Sequence, residues 1–98
     1  MDELLLLIED MFKVKDRGYV ATGAVASGPI CAGDRVYVLT ASGHFRFIIE
    51  EIQSLSGPLD KSERGEQIGV LLKGEGADQL QRGHVLCRDT YPVHVANA

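Results

Sequence analysis

Tryptophan is missing from this chain of 98 residues, and aromatic residues make up only 6% of it. Any core it builds must therefore be mostly aliphatic. Cysteine is scarce as well, with Cys31 and Cys87 alone. Small secreted domains that depend on disulfides usually carry more. A reducing cytoplasm is the expected setting, and sequence leaves a pairing of the two thiols open. Positive charge is in short supply: ten Lys and Arg stand against fourteen Asp and Glu, for a net charge of -4. General attraction to nucleic-acid phosphates needs a basic surface, so this balance weighs against that mode of binding. It does not exclude a contact confined to one end of an RNA. Long apolar runs are also lacking. Leu4-Leu5-Leu6-Leu7-Ile8 is far too short to span a bilayer, and Asp2 and Glu3 stand where a signal peptide would carry positive charge. The run is expected to be a buried first strand, and no membrane partner is expected.

What is present is the rhythm of an all-β domain. Hydrophobic residues make up 45% and charged residues 24%, a globular balance, and the length suits one domain. Residues 1–90 are expected to form it, with 91–98 as a tail. Short apolar or alternating segments recur between Gly and Pro signals. The first runs from about Leu4 to Lys15, with Phe12 and Val14 on one side and Lys13 and Lys15 on the other. Asp16-Arg17-Gly18 is a tight turn. The second segment, Tyr19 to Ala26, is rich in small residues, which let another backbone or a ligand approach closely. After the Ala32-Gly33-Asp34 turn, Val36 and Val38 mark a third strand. The fourth spans about His44 to Leu55. Its apolar face is Phe45, Phe47 and Ile49, but the phase changes at Glu50-Glu51 and Ile52 becomes the apolar position, which predicts a β-bulge or sharp bend. Residues 59–66 are polar and predict a loop. Ile68, Val70 and Leu72 mark a fifth strand. Asp78 is expected to cap one helical turn through Leu80, stopped by Gly83. A sixth strand follows from His84 to Arg88, with Val85 and Cys87 inward. Six short antiparallel strands and one helical turn suit a small closed, Greek-key-like barrel.

Sites for chemistry are sparse. No phosphate loop of the form G-x-x-x-x-G-K-[ST] occurs, so GTP binding by this chain is not expected. His84 and Cys87 fall on opposite faces of a strand, and His44, His94 and Cys31 add no zinc spacing, so no metal is expected. No Cys or Ser stands in a recognisable arrangement with a base and an orienting acid. Neither enzymatic activity nor a cofactor is expected. The informative feature is Glu9-Asp10 inside an otherwise apolar segment. Neighbours in a strand face opposite sides, so one carboxylate is expected to turn toward the buried side or its rim. There it would bond loop amides or pair with Arg17 or Arg82.

These residues resemble a known pattern. Ile8-Glu9-Asp10-Met11-Phe12, then Asp16 to Val25 (DRGYVATGAV), then Gly28 to Val36 (GPICAGDRV), are similar to the opening of the second domain of elongation factor Tu. Glu63 to Gly74 (ERGEQIGVLLKG) and Arg82 to Cys87 (RGHVLC) are similar to its closing strands. The blocks keep the family's order over roughly residues 7–88. The resemblance implies a translation-factor β-barrel that binds without catalysing. In elongation factor Tu this domain helps hold the 3′ end of aminoacyl-tRNA, and related factors use it against ribosomal RNA. By position, Glu9, Asp10 and Phe12 match the segment near the aminoacyl group. Val14, Val20, Ala21, Thr22 and Leu71 match positions around the terminal adenosine. Gln53 stands where the family has an acidic residue against the adenine, and Gln67 replaces an Asn. The family's basic residues after the acidic one find no counterpart in Ser54-Leu55-Ser56. These departures predict a weak site for a tRNA 3′ end or ribosomal RNA. The alternative is a protein-interaction module that mimics or competes with a translation factor's second domain.

Overall fold

Alternating apolar residues dictate the strands, and register decides which of them meet. The computed structural model describes residues 3–89. In chain order the strands are β1 (Leu4–Leu7), β2 (Asp10–Val14), β3 (Gly18–Ala24), β4 (Ile30–Cys31), β5 (Arg35–Thr40), β6 (Gly43–Ser54), β7 (Gly57–Leu59), β8 (Lys61–Ser62), β9 (Gln67–Lys73) and β10 (Val85–Arg88). One 3-10 turn, Ala77–Gln79, stands between β9 and β10. The main sheet is antiparallel, in the order β1-β10-β5-β6-β9-β3-β2, with β7 folded back on β6; β4 and β8 form a separate small ladder. The sheet curls so that β1 meets the chain just past β3: Leu6 bridges Val25, and the Ala26 amide donates to the Leu5 carbonyl at 2.7 Å. That contact is one bridge and a flanking hydrogen bond rather than a ladder.

Among the described residues the fold has ten strands where six were expected, and two features account for most of the difference. The first segment is two strands with different partners. At Ile8-Glu9 the chain leaves β10 for β3: the Ile8 amide donates to His84 (2.8 Å) and the Glu9 amide to Thr22 (2.7 Å). Both flanks of that step are apolar, so hydrophobicity alone hides it. Polar residues 59–66 are not purely loop either. Pro58 and Leu59 pair with β6, and Lys61-Ser62 pair with β4. A ladder needs backbone groups, not apolar side chains, so a short polar edge strand escapes pattern reading.

The core is aliphatic as composition requires, with Leu5, Ile30, Val36, Ile49, Val70 and Leu86 fully buried. Phe47 is the one buried aromatic among the described residues. The small residues of β3 serve a close approach: a Cβ on Gly23 would fall against the Leu7 carbonyl oxygen and the Leu6 side chain. In β10, Leu86 points inward opposite Leu6, while Val85 and Cys87 are half-buried, the reverse of the expected phase. Apolar residues occupy both faces of that strand, so alternation could not choose between them. Asp78 does not cap the 3-10 turn. Gly76 takes the cap position at φ 97°, a backbone suited to glycine, and the turn ends at Leu80, where it was expected to end. Cys31 and Cys87 are both free thiols. The expected tail, residues 91–98, and His94 within it lie outside the described residues.

Strand β6 carries the feature that shapes the surface. Ile49 pairs with Leu72, but the next pair is Glu51 with Leu71, so the register shifts by one residue at Glu50. This is the bulge expected at Glu50-Glu51. It keeps Ile49 and Ile52 both in the core and turns Glu51 and Gln53 outward.

Candidate nucleic-acid interface

Directly paired residues of antiparallel strands share a face. The register therefore defines two outward rows crossing β2, β3, β9 and β6. One row is Phe12–Val20–Leu71–Glu51. The other is Asp10–Thr22–Gly69–Gln53. Val14 continues the same face of β2 opposite Gly18. Gln67 lies on the outward face of β9, and its side-chain amide donates to Glu9 Oε1 at 2.9 Å. Residues from 9 to 71 in the sequence thus meet in one strip. Ala21 is the exception: it is fully buried and faces the core, so it is floor rather than surface.

The strip has an apolar rib, and Gly69 beside it is covered by its neighbours. Leu71 is 3% exposed yet lies on the outward face, covered by its row neighbours. Phe12, at the sheet edge, is 54% exposed. Gly69 leaves the second row bare of a side chain on β9. A Cβ there would sit 2.9 Å from Val20 Cγ1 and 3.5 Å from Thr22 Cγ2. The result is a shallow apolar ledge with polar groups at both ends, suited to one face of a planar ring.

The carboxylates do not behave as expected. Neither Glu9 nor Asp10 turns inward; both are exposed. The reason is that β2 is the last strand of the sheet, so its inner side extends past the core, and only Met11 packs there. Glu9 takes Gln67 rather than an arginine. Arg17 pairs instead with Glu51, Nη2 to Oε2 at 3.1 Å. Glu51 also accepts a hydrogen bond from the Gln53 side-chain amide. That bond first, and Arg17 second, hold the Glu51 carboxyl below the ordinary carboxylate range. Glu51, Arg17 and Gly69 were missed as members of the strip. The phase change at Glu50-Glu51 was the signal for Glu51, because the bulge is what turns it outward.

Among the described residues no group of three or more His, Cys, Asp or Glu could hold a metal ion, and no helix is long and apolar enough to cross a membrane. The strip is a side-chain surface on one face of a β-sheet.

The family model for elongation factor Tu domain 2 matches residues 18–87, and the chain belongs to that family. The match covers β3 to β10 and leaves Glu9, Asp10, Phe12 and Val14 outside it. Among solved structures the chain is similar to translation elongation factor SelB from Methanococcus maripaludis in its apo form. The TM-score is 0.78 at 24% identity, over 90% of this chain and 18% of that one. At that identity the likeness speaks for the fold, and this chain spans less than a fifth of the SelB chain's length.

Proposed function

We propose that this chain is a non-catalytic binding module of the translation machinery whose strip holds the 3′ end of an RNA. The observation that supports this most is the convergence of separate segments, β2, β3, β9 and the post-bulge half of β6, on one ledge. Phe12, Val20 and Leu71 supply an apolar wall for a base. Thr22 and Gln53 supply hydrogen-bonding groups on either side of Gly69. Glu9 and Asp10 at the open edge can accept hydrogen bonds from the amino group of an aminoacyl ester, so an aminoacyl-tRNA 3′ end fits better than a bare one. A cytoplasmic location goes with this reading. Affinity is low, because the strip carries Glu9, Asp10 and Glu51 against Arg17 alone.

That same acidic balance favours a second reading, a surface that docks a protein of the translation machinery in place of another factor's second domain. A heteronuclear NMR titration of labelled protein separates the two. Aminoacyl-tRNA, deacylated tRNA and a short CCA-ending RNA are the ligands. The expected result is shifts at Glu9 to Val14, Val20 to Thr22 and Gln53, largest for the aminoacylated ligand. No shifts at high RNA concentration sinks the RNA reading and leaves the protein one.

A further inference from the structure

A second outward face of the sheet is apolar, on strands the strip does not use. Leu4, Cys87 and Tyr37 lie directly across from one another on β1, β10 and β5. Leu7 and Val85 make the next outward pair, and Leu39, two residues past Tyr37 on β5, shares their face. Leu4 is 42%, Leu7 50% and Leu39 63% exposed, while Val85, Cys87 and Tyr37 are half-buried. None of these six side chains is charged at neutral pH. The three leucines are half of the six large hydrophobic residues left exposed among the described residues. Scattered apolar residues need no explanation, but a contiguous patch on the order of 300 Å² marks a site of association.

We propose that a second copy of this chain covers this face, giving a weak two-fold dimer. Three features point to that occupant. First, the face is its own complement. Strands β1 and β5 stand about 10 Å apart with β10 between them. Their exposed leucines therefore flank the lower stripe of Val85 and Cys87. A two-fold axis along β10, between two copies laid face to face, sets Leu7 of each over Leu39 of the other and Leu4 over Tyr37. Val85 and Cys87, on the axis, meet their own counterparts. All six positions then meet an apolar side chain, as the inner faces of a β-sandwich do. Second, the rim is complementary in charge. The same rotation carries Arg46, at the far end of the row through Leu4, Cys87 and Tyr37, to the Glu3 side of the other copy's β1. An axis across the strands would stack β1 on β1 and β6 on β6, with like charges on the same side. Third, the size fits reversible pairing. The patch is smaller than the ~800 Å² per partner of a stable complex, which sets the dissociation constant on the order of 100 µM. The strip lies on β2, β3, β9 and the later half of β6, so it stays open in both copies.

The test uses the full chain, kept reduced, in sedimentation equilibrium from about 10 µM to about 1 mM. The expected result is a reversible rise from monomer mass toward dimer mass. Leu39→Lys and Leu7→Lys, both at exposed positions, should each weaken association by about ten-fold or more, because each buries a charge twice in the interface. Circular dichroism checks that both variants stay folded. Phe12→Ala in the strip is expected to dimerise as the wild type does. A short bismaleimide is expected to join two copies through Cys87, so the cross-link is lost in Cys87→Ser and kept in Cys31→Ser. The proposal is overturned if the wild type stays monomeric at about 1 mM, if both lysine variants dimerise as the wild type does, or if Phe12→Ala abolishes the dimer. A cross-link that survives Cys87→Ser and is lost in Cys31→Ser places the contact elsewhere and overturns it as well.

Discussion

Deleting Glu50 should leave the domain folded, whereas deleting an exposed residue from the regular part of β6 should cost far more. Glu50 is exposed, and its side chain packs against nothing in the core. It is the extra residue in β6: Ile49 pairs with Leu72 and Glu51 with Leu71, and no residue of β9 pairs with Glu50. Without it those two pairs become consecutive, and Ile52 stays opposite Val70 and Gln53 opposite Gly69. Ile52 keeps its place in the core and Glu51 and Gln53 stay outward, so the deletion removes only the local twist of the bulge and should stay within about 1 kcal/mol of the wild type. Arg46 is exposed too, but it stands in an unbroken ladder opposite Tyr37. With the pairs from Phe47 onward kept, its deletion moves Phe45 from opposite Val38 to opposite Tyr37, off the core side, and puts His44 in its place. Phe45 packs half-buried against the core, and exposing it forfeits about 1–1.5 kcal/mol. A polar imidazole turned toward the aliphatic core adds about 1–3 kcal/mol. The combined loss of at least ~2 kcal/mol is a large part of the ~5–15 kcal/mol that holds a domain folded. Urea unfolding followed by circular dichroism reads both variants. With an m-value of about 1–3 kcal/mol per molar, the Arg46 deletion should lower the midpoint by at least ~0.7 M. A Glu50 deletion as costly as that of Arg46 would show that the bulge does not set the faces of β6, and the assignment of Glu51 and Gln53 to the strip would fall with it.

Two other perturbations test what holds the barrel and the strip. Arg88 joins three segments: Nε to Glu3 Oε1 at 2.6 Å, Nη1 to Asp34 Oδ2 at 3.3 Å, and Nη2 to the Pro29 carbonyl at 2.8 Å. Arg88→Met keeps the stem but removes these bonds, and should cost about 1.5–3 kcal/mol in urea unfolding, discounted for partial exposure; a loss below ~0.5 kcal/mol would mean that the network is decorative. Glu51 has a folded-state pKa depressed chiefly by Gln53 and then by Arg17, so its contribution to stability is full above the ordinary carboxylate range and disappears as pH falls through the folded value. The stability gap between wild type and Glu51→Gln should accordingly be constant from neutral pH down to that range and shrink below it. A gap unchanged into strong acid would remove the Arg17–Glu51–Gln53 cluster from the account.

Some of this was legible in the residues, and the limit has a physical cause. Val36 and Val38, Phe45 to Ile49, and Ile68 to Leu72 alternate cleanly because one side of each strand meets the core and the other meets solvent. The phase change at Glu50-Glu51 was legible for the same reason: alternation that restarts one residue late is what a bulge produces. Alternation failed where both faces are apolar, as at Val85-Leu86-Cys87, and where the chain changes partners inside an apolar stretch, as at Ile8-Glu9. It also said nothing about which strands are neighbours. Arg17 and Glu51 are 34 residues apart, and Glu9 and Gln67 are 58 apart. Within one strand, nothing marks those partners. The strip's membership therefore depended on register, which the resemblance to elongation factor Tu supplied for Gln53, Gln67 and Leu71. Where that resemblance led attention to Ala21, the side chain faces inward; where it was silent, at Glu51, the bulge turned a carboxylate out. A family pattern transfers backbone positions more securely than it transfers the chemistry of a surface. The acidic balance of this strip follows from this chain's own residues, Glu9, Asp10 and Glu51.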